Sequence, residues 1–585
     1  MSSYFRKKTR KRMAFMSFFL ILWLALLSLR LIQLQIIDHP RLRKKVIEQN
    51  QNRNYIIPKR GTIYDRKGRI FAQSIPSDSV FYTSFPDESL TTQFDRISRL
   101  NEILNLSPGE LEKIKKRIEK EESFIWIKRK ITPSEAESVK RLHLPGVHLK
   151  KENRRLYPKG ELAAHILGGV GIDENGLSGV EYKYDTKLKG KKGECIILRD
   201  AKKREYRIEI LRQPLPGNDL FLTIDETVQY IAEKELLRAI SETKASWGTV
   251  IISQPSSGEI LALANYPTYN PNHYSSTPPQ KRINRAIQYN FEPGSTFKIV
   301  TASAALEGKC VSLEDNFNCN QGAIVVAGKT IKDHKSFSIL PFHQVIQYSS
   351  NVGAIRVGLR IPKNYFFHMI NSFGFGQRTG IDLPGEEKGI FRPLSRWSDI
   401  SQASISFGQE ISVTAIQLLQ ALNVIANKGI LASPKIVNKL YISPHELRAK
   451  PSHYRRVISK ETAALMTQIM EMVVLQGTGK AARIHGYRVA GKTGTAQKFD
   501  PQLNAYSSTL HTASFVGFVP LEEPAFSIVV VLDEPQGAYY GGEVAAPLFR
   551  RIAEKLLIYF KIPPEKETSK PLLTAHLKRK AGDET

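Results

Sequence analysis

Pro293-Gly294-Ser295-Thr296-Phe297-Lys298-Ile299-Val300, continuing through Ala302, Ala304, Ala305 and Leu306, reads as a loop that ends at a proline and a glycine and enters a mostly buried helix beginning near Ser295. Ser295 and Lys298 stand three apart and so share a face. The helix is apolar enough for a core, so its two polar side chains are expected to emerge at a cleft. Serine is a weak nucleophile at neutral pH and needs a neighbour that takes its proton. Lys298 fits that need if its pKa is lowered by burial or by a second cation, and Lys492 is the candidate cation. In the first helical turn, free N–H groups and the helix dipole favour a developing oxyanion. Spacing alone decides little, because Ser241-Glu242-Thr243-Lys244 has it too, at the end of the charged amphipathic stretch 225–240. That second match reads as a solvated helix end.

Two later segments complete the set. Ser349-Ser350-Asn351 alone is a helix start or turn, and Lys492-Thr493-Gly494 alone is a strand edge. Together, in this order, they supply a nucleophile, its base, a proton relay and a carboxylate clamp, as in serine penicillin-recognising enzymes.

On these motifs the chain resembles the class B penicillin-binding proteins, membrane-anchored peptidoglycan transpeptidases. Arg60-Gly61-Thr62-Ile63-Tyr64-Asp65-Arg66-Lys67-Gly68 is similar to the first signature of that family's pedestal, and Tyr157-Pro158, Ala164-His165, Gly168 and Gly179-Val180-Glu181 to the next. Asn284-Arg285-Ala286, Gly374-Phe375-Gly376 and Ala490 to Ala496 match catalytic segments. The segments 144–149, 396–400 and Tyr539-Tyr540-Gly541-Gly542 resemble the FtsI-type division branch. Two departures stand out. The family's Gly-x-Gly before Val-Thr-Pro is here Gly408-Gln409-Glu410 before Val413-Thr414-Ala415, and Glu410 is expected to alter a turn near the cleft.

The resemblance implies a donor stem peptide ending in D-Ala-D-Ala, with its carboxylate held by Lys492, Thr493, Gly494 and Thr495. Ser295 attacks the penultimate carbonyl, Lys298 accepts the proton, and the N–H groups of Ser295 and Thr495 form the oxyanion hole. Ser349, with Lys492, carries the proton to departing D-alanine, and Asn351 orients Lys298 and the donor amide. An amine of a second stem peptide resolves the acyl-enzyme. No cofactor and no metal are expected. β-Lactams are expected to acylate Ser295, and a polytopic lipid II polymerase and other division proteins are the implied partners. A D,D-carboxypeptidase, a β-lactam sensor, a non-enzymatic septal scaffold and the elongation branch remain open at this point.

The expected fold is α+β: a single transmembrane helix, a mixed α/β pedestal, and a transpeptidase domain whose central antiparallel sheet is flanked by helices, as in serine β-lactamases. A length of 585 residues calls for several domains. They are drawn as a basic cytoplasmic segment 1–12, an anchor 13–37, a non-catalytic, dimerisation-like pedestal 38–214 with one helix near 110–120, a transpeptidase domain 215–561, and a polar, disordered tail 562–585. Strands are expected at 248–252, 259–263, 487–497, 512–519 and 526–532, with a last helix over 544–559.

Residues 13–29 are uncharged and apolar, and 31–37 extend the run past Arg30, enough for a core of about 30 Å if Arg30 snorkels. No small-x-small site follows, so an uncleaved anchor is favoured over a signal peptide. Six basic residues between Arg6 and Arg12 put the N-terminus in the cytoplasm and the rest outside the inner membrane, in the periplasm. The net charge of +29 invites a nucleic-acid reading. Export argues against it, and a basic surface then meets lipid headgroups and anionic wall. Of three cysteines, Cys310 and Cys319 are near enough in sequence to bond, with Cys195 left over.

Overall fold

The computed structural model describes residues 2–199, 205–443, 446–449, 453–500 and 505–565. Helix Ser2–Ile32 and one wider turn, Gln33–Ile37, form a single exposed rod, apolar and long enough to cross a membrane. Arg30 lies along it and donates to Gln33 Oε1 at 2.8 Å.

The chain forms two compact units, 1–59 with 190–216, and 60–189 with 217–585. The first unit holds the rod, the helix His39–Asn50 and an antiparallel sheet in the order Gln51–Ile56, Gly193–Arg199, Glu205–Arg212.

In the second unit, the long strand Ile70–Tyr82 pairs antiparallel with both Ile125–Ile131 and Val147–Leu156. Helices Leu90–Leu104, Pro108–Glu119 and Pro133–Arg141 bury Ile97, Leu100, Ile114, Ile118 and Val139 with Val80 and Tyr82 of that strand. One helix was expected in this region and three are present. Two of them start at Ser107-Pro108-Gly109-Glu110 and Thr132-Pro133-Ser134-Glu135, each a reciprocal capping box with proline in the first turn. The two pedestal signatures meet in a buried ion network. Arg60 and Arg155 each donate through Nε to Glu181 at 2.7 Å, and Arg60 also reaches Asp185 at 2.7 Å.

The catalytic half is built on five strands: β1 (Trp247–Gln254), β2 (Glu259–Tyr266), β3 (Ala490–Asp500), β4 (Ala505–Val519) and β5 (Phe526–Asp533). They run antiparallel in the order β2-β1-β5-β4-β3, so the split in sequence closes into one sheet with β3 at its edge. Alternation sorts the core. Val250, Ile252, Ile528 and Val530 pack on helices α1 (Glu226–Thr243) and, last among the described residues, Gly541–Tyr559. Ile251, Val529 and Val531 face the other way, toward α2 (Lys298–Glu307), α3 (Asn351–Arg360) and the buried helix Ala415–Ala426. Ser241 and Lys244 are exposed at the end of α1, as a solvated helix end should be.

The polar tail lies outside the described residues from 566 on. Its first residues are packed, Glu565 N donating to Gly486 O at 2.9 Å. Cys310 and Cys319 are free thiols, as is Cys195.

Candidate active site

Ser295 lies in a tight turn, Gly294–Phe297, of the 3-10 type, which runs directly into α2. The expected first α-turn is therefore a narrower one. Two glycines let it approach its neighbours. A β-carbon on Gly408, at φ 87°, would lie 2.1 Å from Gly294 O, and one on Gly494 would meet Ser514 Oγ at 2.4 Å and Thr296 Cγ2 at 2.8 Å. The turn is thus wedged between the 408–413 segment and the edge strand β3. Ser295 is partly exposed in a cleft of about 740 Å³, with Ser349, Asn351, Thr493 and Thr495 also on its walls.

Lys298 and Lys492 are fully buried behind that lining. Lys298 Nζ donates to Ser349 O at 2.7 Å, to Asn351 Oδ1 at 2.8 Å and to Ser349 Oγ at 3.3 Å. Lys492 Nζ donates to the same Ser349 Oγ at 2.9 Å and to Thr493 O at 3.0 Å. One hydroxyl therefore bridges two amines. Ser349 takes φ 60°, a left-handed conformation that serine seldom adopts. No hydrogen bond joins Ser295 Oγ to Lys298 Nζ among the described residues.

Burial pushes the Lys298 amine down to about 7, with the Asp333 carboxylate opposing. Lys492 is held well below the ordinary lysine range by burial first and by the charge of Lys298 second. Of the two expected causes of a lowered Lys298, burial or the nearby Lys492 cation, burial is the one found. Burial is the larger cause at both amines, opposed at Lys298 by the charge of Asp333 and reinforced at Lys492 by the charge of Lys298.

Thr493 and Thr495 have partners in place. Thr493 Oγ1 is 2.6 Å from Thr478 Oγ1, and Thr495 Oγ1 accepts from Gly541 N at 3.0 Å. Beside Thr495, His511 of β4 stacks on Tyr539 at 4.1 Å, and Tyr540 follows at 4.6 Å. Asp333 was not anticipated. It accepts from Ser350 Oγ at 2.6 Å, from Val352 N at 3.1 Å and from Asn351 N, and so fixes the start of α3. Thr478 was also missed. Neither carries a local signal, since each reaches the site only through the tertiary fold.

A serine turn backed by two suppressed lysines, beside an edge strand whose Thr493 and Thr495 line the cleft, is equipped for acyl transfer through serine. Comparison with known proteins agrees. Residues 248–554 match the penicillin-binding protein transpeptidase domain and residues 55–222 the penicillin-binding protein dimerisation domain. Peptidoglycan D,D-transpeptidase FtsI of Escherichia coli K12 is 35% identical over 94% of this chain and 92% of its own length. Stage V sporulation protein D of Bacillus subtilis is likewise 35% identical, over 95% of this chain and 87% of its own. Penicillin-binding protein 3 of Mycobacterium tuberculosis, solved with aztreonam, superposes with a TM-score of 0.70 at 27% identity over 89% of this chain and 99% of that one. Fold and chemistry define a serine acyltransferase. The chain belongs to the penicillin-binding transpeptidase family, its FtsI-like members included.

Proposed function

We propose that this protein is a septal peptidoglycan D,D-transpeptidase, anchored by its N-terminal helix with residues 1–12 in the cytoplasm and the catalytic part in the periplasm. The domain limits 38–214 and 215–561 belong to the same reading. Its supporting observation is the bridge Lys298–Ser349–Lys492 at the cleft that Ser295 also lines.

Ser295 Oγ attacks the penultimate carbonyl of a D-Ala-D-Ala stem peptide, and its proton passes to neutral Lys298. The tetrahedral oxyanion is held by the N–H groups of Ser295 and Thr495. Thr493 and Thr495, beside Gly494 and with the Lys492 amine behind them, receive the terminal carboxylate. As the C–N bond breaks, Ser349 gives its proton to departing D-alanine and is reprotonated from the lysines that flank it. Asn351 fixes Lys298 through Oδ1. An amine of a neighbouring stem peptide then attacks the acyl-enzyme and releases Ser295 with the cross-link made. Water in that role would give carboxypeptidase activity, which released D-alanine without cross-linked product reveals. A lipid II polymerase of the division machinery is the proposed partner.

Intact-mass measurement after incubation with a penicillin tests the chemistry. One adduct on Ser295, absent from Ser295→Ala, is expected; a folded wild-type protein without an adduct overturns it. The equal identity to a sporulation protein favours wall synthesis in sporulation as a second reading. Depletion separates the two, since filaments in growing cells follow from a septal role and defective spores with normal division from the other.

A further inference from the structure

Three residues before Ser295, Glu292 uses one oxygen to join three parts of the site. Its Oε1 accepts from the backbone N of Glu410 at 3.0 Å and from the Tyr506 hydroxyl at 3.1 Å. Glu410 lies two residues beyond Gly408, whose carbonyl receives Gly294 N at 3.1 Å, and Tyr506 pairs with Phe499 at the far end of the β3–β4 ladder. Phe291 and Val413 exchange backbone hydrogen bonds of 3.0 and 2.8 Å beside it. The other oxygen, Oε2, is shut off from solvent with no hydrogen-bond partner.

The charged and titratable groups around Glu292 are few. Glu410 accepts from Ser401 Oγ at 2.8 Å and pairs with Arg392, so that cation is already engaged. Tyr506 is pushed up by burial and by Glu292, and remains a donor. No cation forms an ion pair with Glu292 among the described residues. Burial first, and the Glu410 charge in addition, push Glu292 up to about 7.

We propose that Glu292 is a positioning residue for acyl transfer at Ser295, acting as a neutral carboxylic acid that holds the nucleophile turn against the 408–413 segment and Tyr506 of β4. This rests on the transpeptidase reading. In the acid form Oε1 is the carbonyl oxygen that accepts both hydrogen bonds, and the proton resides on the unpartnered Oε2. Ionisation would put an unpaired charge opposite the Glu410 carboxylate and just ahead of the turn where the oxyanion develops, which opposes acylation.

The test is the rate of acylation by a fluorescent penicillin, measured between pH 6 and 9.5 on the full-length protein in detergent. Wild type is expected to give a bell-shaped profile. Glu292→Gln keeps the acceptor and cannot ionise, so it should retain the neutral-pH rate within about threefold and lose the alkaline fall. Glu292→Ala and Tyr506→Phe should be slower at neutral pH by roughly threefold to tenfold, the worth of a lost hydrogen bond. Tyr506→Phe keeps its ring and guards against a misfolded Glu292 variant. A wild-type alkaline limb in Glu292→Gln, or Glu292→Gln as slow as Glu292→Ala at every pH, overturns the proposal. Wild type that fails to acylate at all would instead sink the transpeptidase reading, before any variant is made.

Discussion

Removing the Ser349 hydroxyl tests the site where strain and chemistry meet. At φ 60° a β-carbon costs about 1 kcal/mol. Ser349→Ala keeps that cost and deletes Oγ, whereas Ser349→Gly removes both. Without Oγ, Lys492 Nζ retains only Thr493 O as acceptor, while Lys298 keeps Ser349 O and Asn351 Oδ1. Because the Lys492 amine is strongly suppressed, the lost hydrogen bond costs stability at the low end of the usual range, about 1 kcal/mol. Ser349→Ala should therefore unfold a few degrees below wild type, and Ser349→Gly above Ser349→Ala. Activity should not follow that order. A positioned proton donor contributes about 10²–10⁴-fold, or roughly 3–5 kcal/mol of barrier, so both variants should acylate at least about 100-fold more slowly. Stopped-flow acylation beside thermal unfolding reads both effects. Acylation of Ser349→Ala within threefold of wild type, or rescue by Ser349→Gly, would refute the relay.

In wild type, acylation should fall as pH drops through about 7, where Lys298 gains a proton and can no longer act as base, and Lys298→Met should lose acylation by roughly 10³-fold or more. Stability carries the opposite signature to an ion-paired lysine. With the folded value near 7 and the unfolded value near about 10.4, the unfolded chain binds more protons between them, so urea midpoints should rise with pH across that window. Lys298→Met should flatten this rise. Glu181→Gln leaves Arg60 and Arg155 without their shared carboxylate in the pedestal and should cost about 3–5 kcal/mol, seen as a lower unfolding temperature. Glu410→Gly relieves left-handed strain of about 1 kcal/mol at φ 59° and loses a half-exposed pair with Arg392 worth ~0–1 kcal/mol, so stability should hardly change. It should also move the alkaline limb of acylation to lower pH, since the Glu410 charge helps to raise Glu292.

The sheet was legible because its strands are short apolar runs between Gly and Pro turns, and the 248–266 hairpin and the 526–532 strand fall within two or three residues of the reading. The candidate site was legible because serine and lysine recur in three ordered segments, and the structure brings Ser295, Lys298, Ser349, Asn351 and Lys492 together. Pedestal helices were harder to see. Leu90–Leu104 has an apolar face spread among polar residues, and the capping boxes at Ser107 and Thr132 are the surer signal. Asp333, Thr478 and Glu292 escaped because an acid or a threonine in a loop has no period or spacing to betray it. Their significance comes from what lies across the cleft. Glu410 was noticed only as a departure, and its positive φ explains why a glycine suits that place.

Two amines around one hydroxyl raise the question of where a single proton rests. Through Ser349 Oγ, the Lys298 and Lys492 nitrogens lie within about 6 Å of each other, so two charges would repel by about 3 kcal/mol at an effective dielectric near 20. Only one is therefore expected to be protonated near neutrality. Lys298 has three acceptors and faces the charge of Asp333; Lys492 has two acceptors and faces the charge of Lys298. The resting proton belongs on Lys298, which makes Lys298 the stronger base of the pair while leaving a substantial neutral fraction at pH 7. Without Asp333 it would be free of its proton at lower pH but would accept the serine proton less readily, and a base is most effective when its pKa lies near the working pH. Asp333 thus tunes the base through charge while it builds the N-terminus of α3, and Asp333→Asn should shift the acid limb of acylation to lower pH as it lowers the plateau.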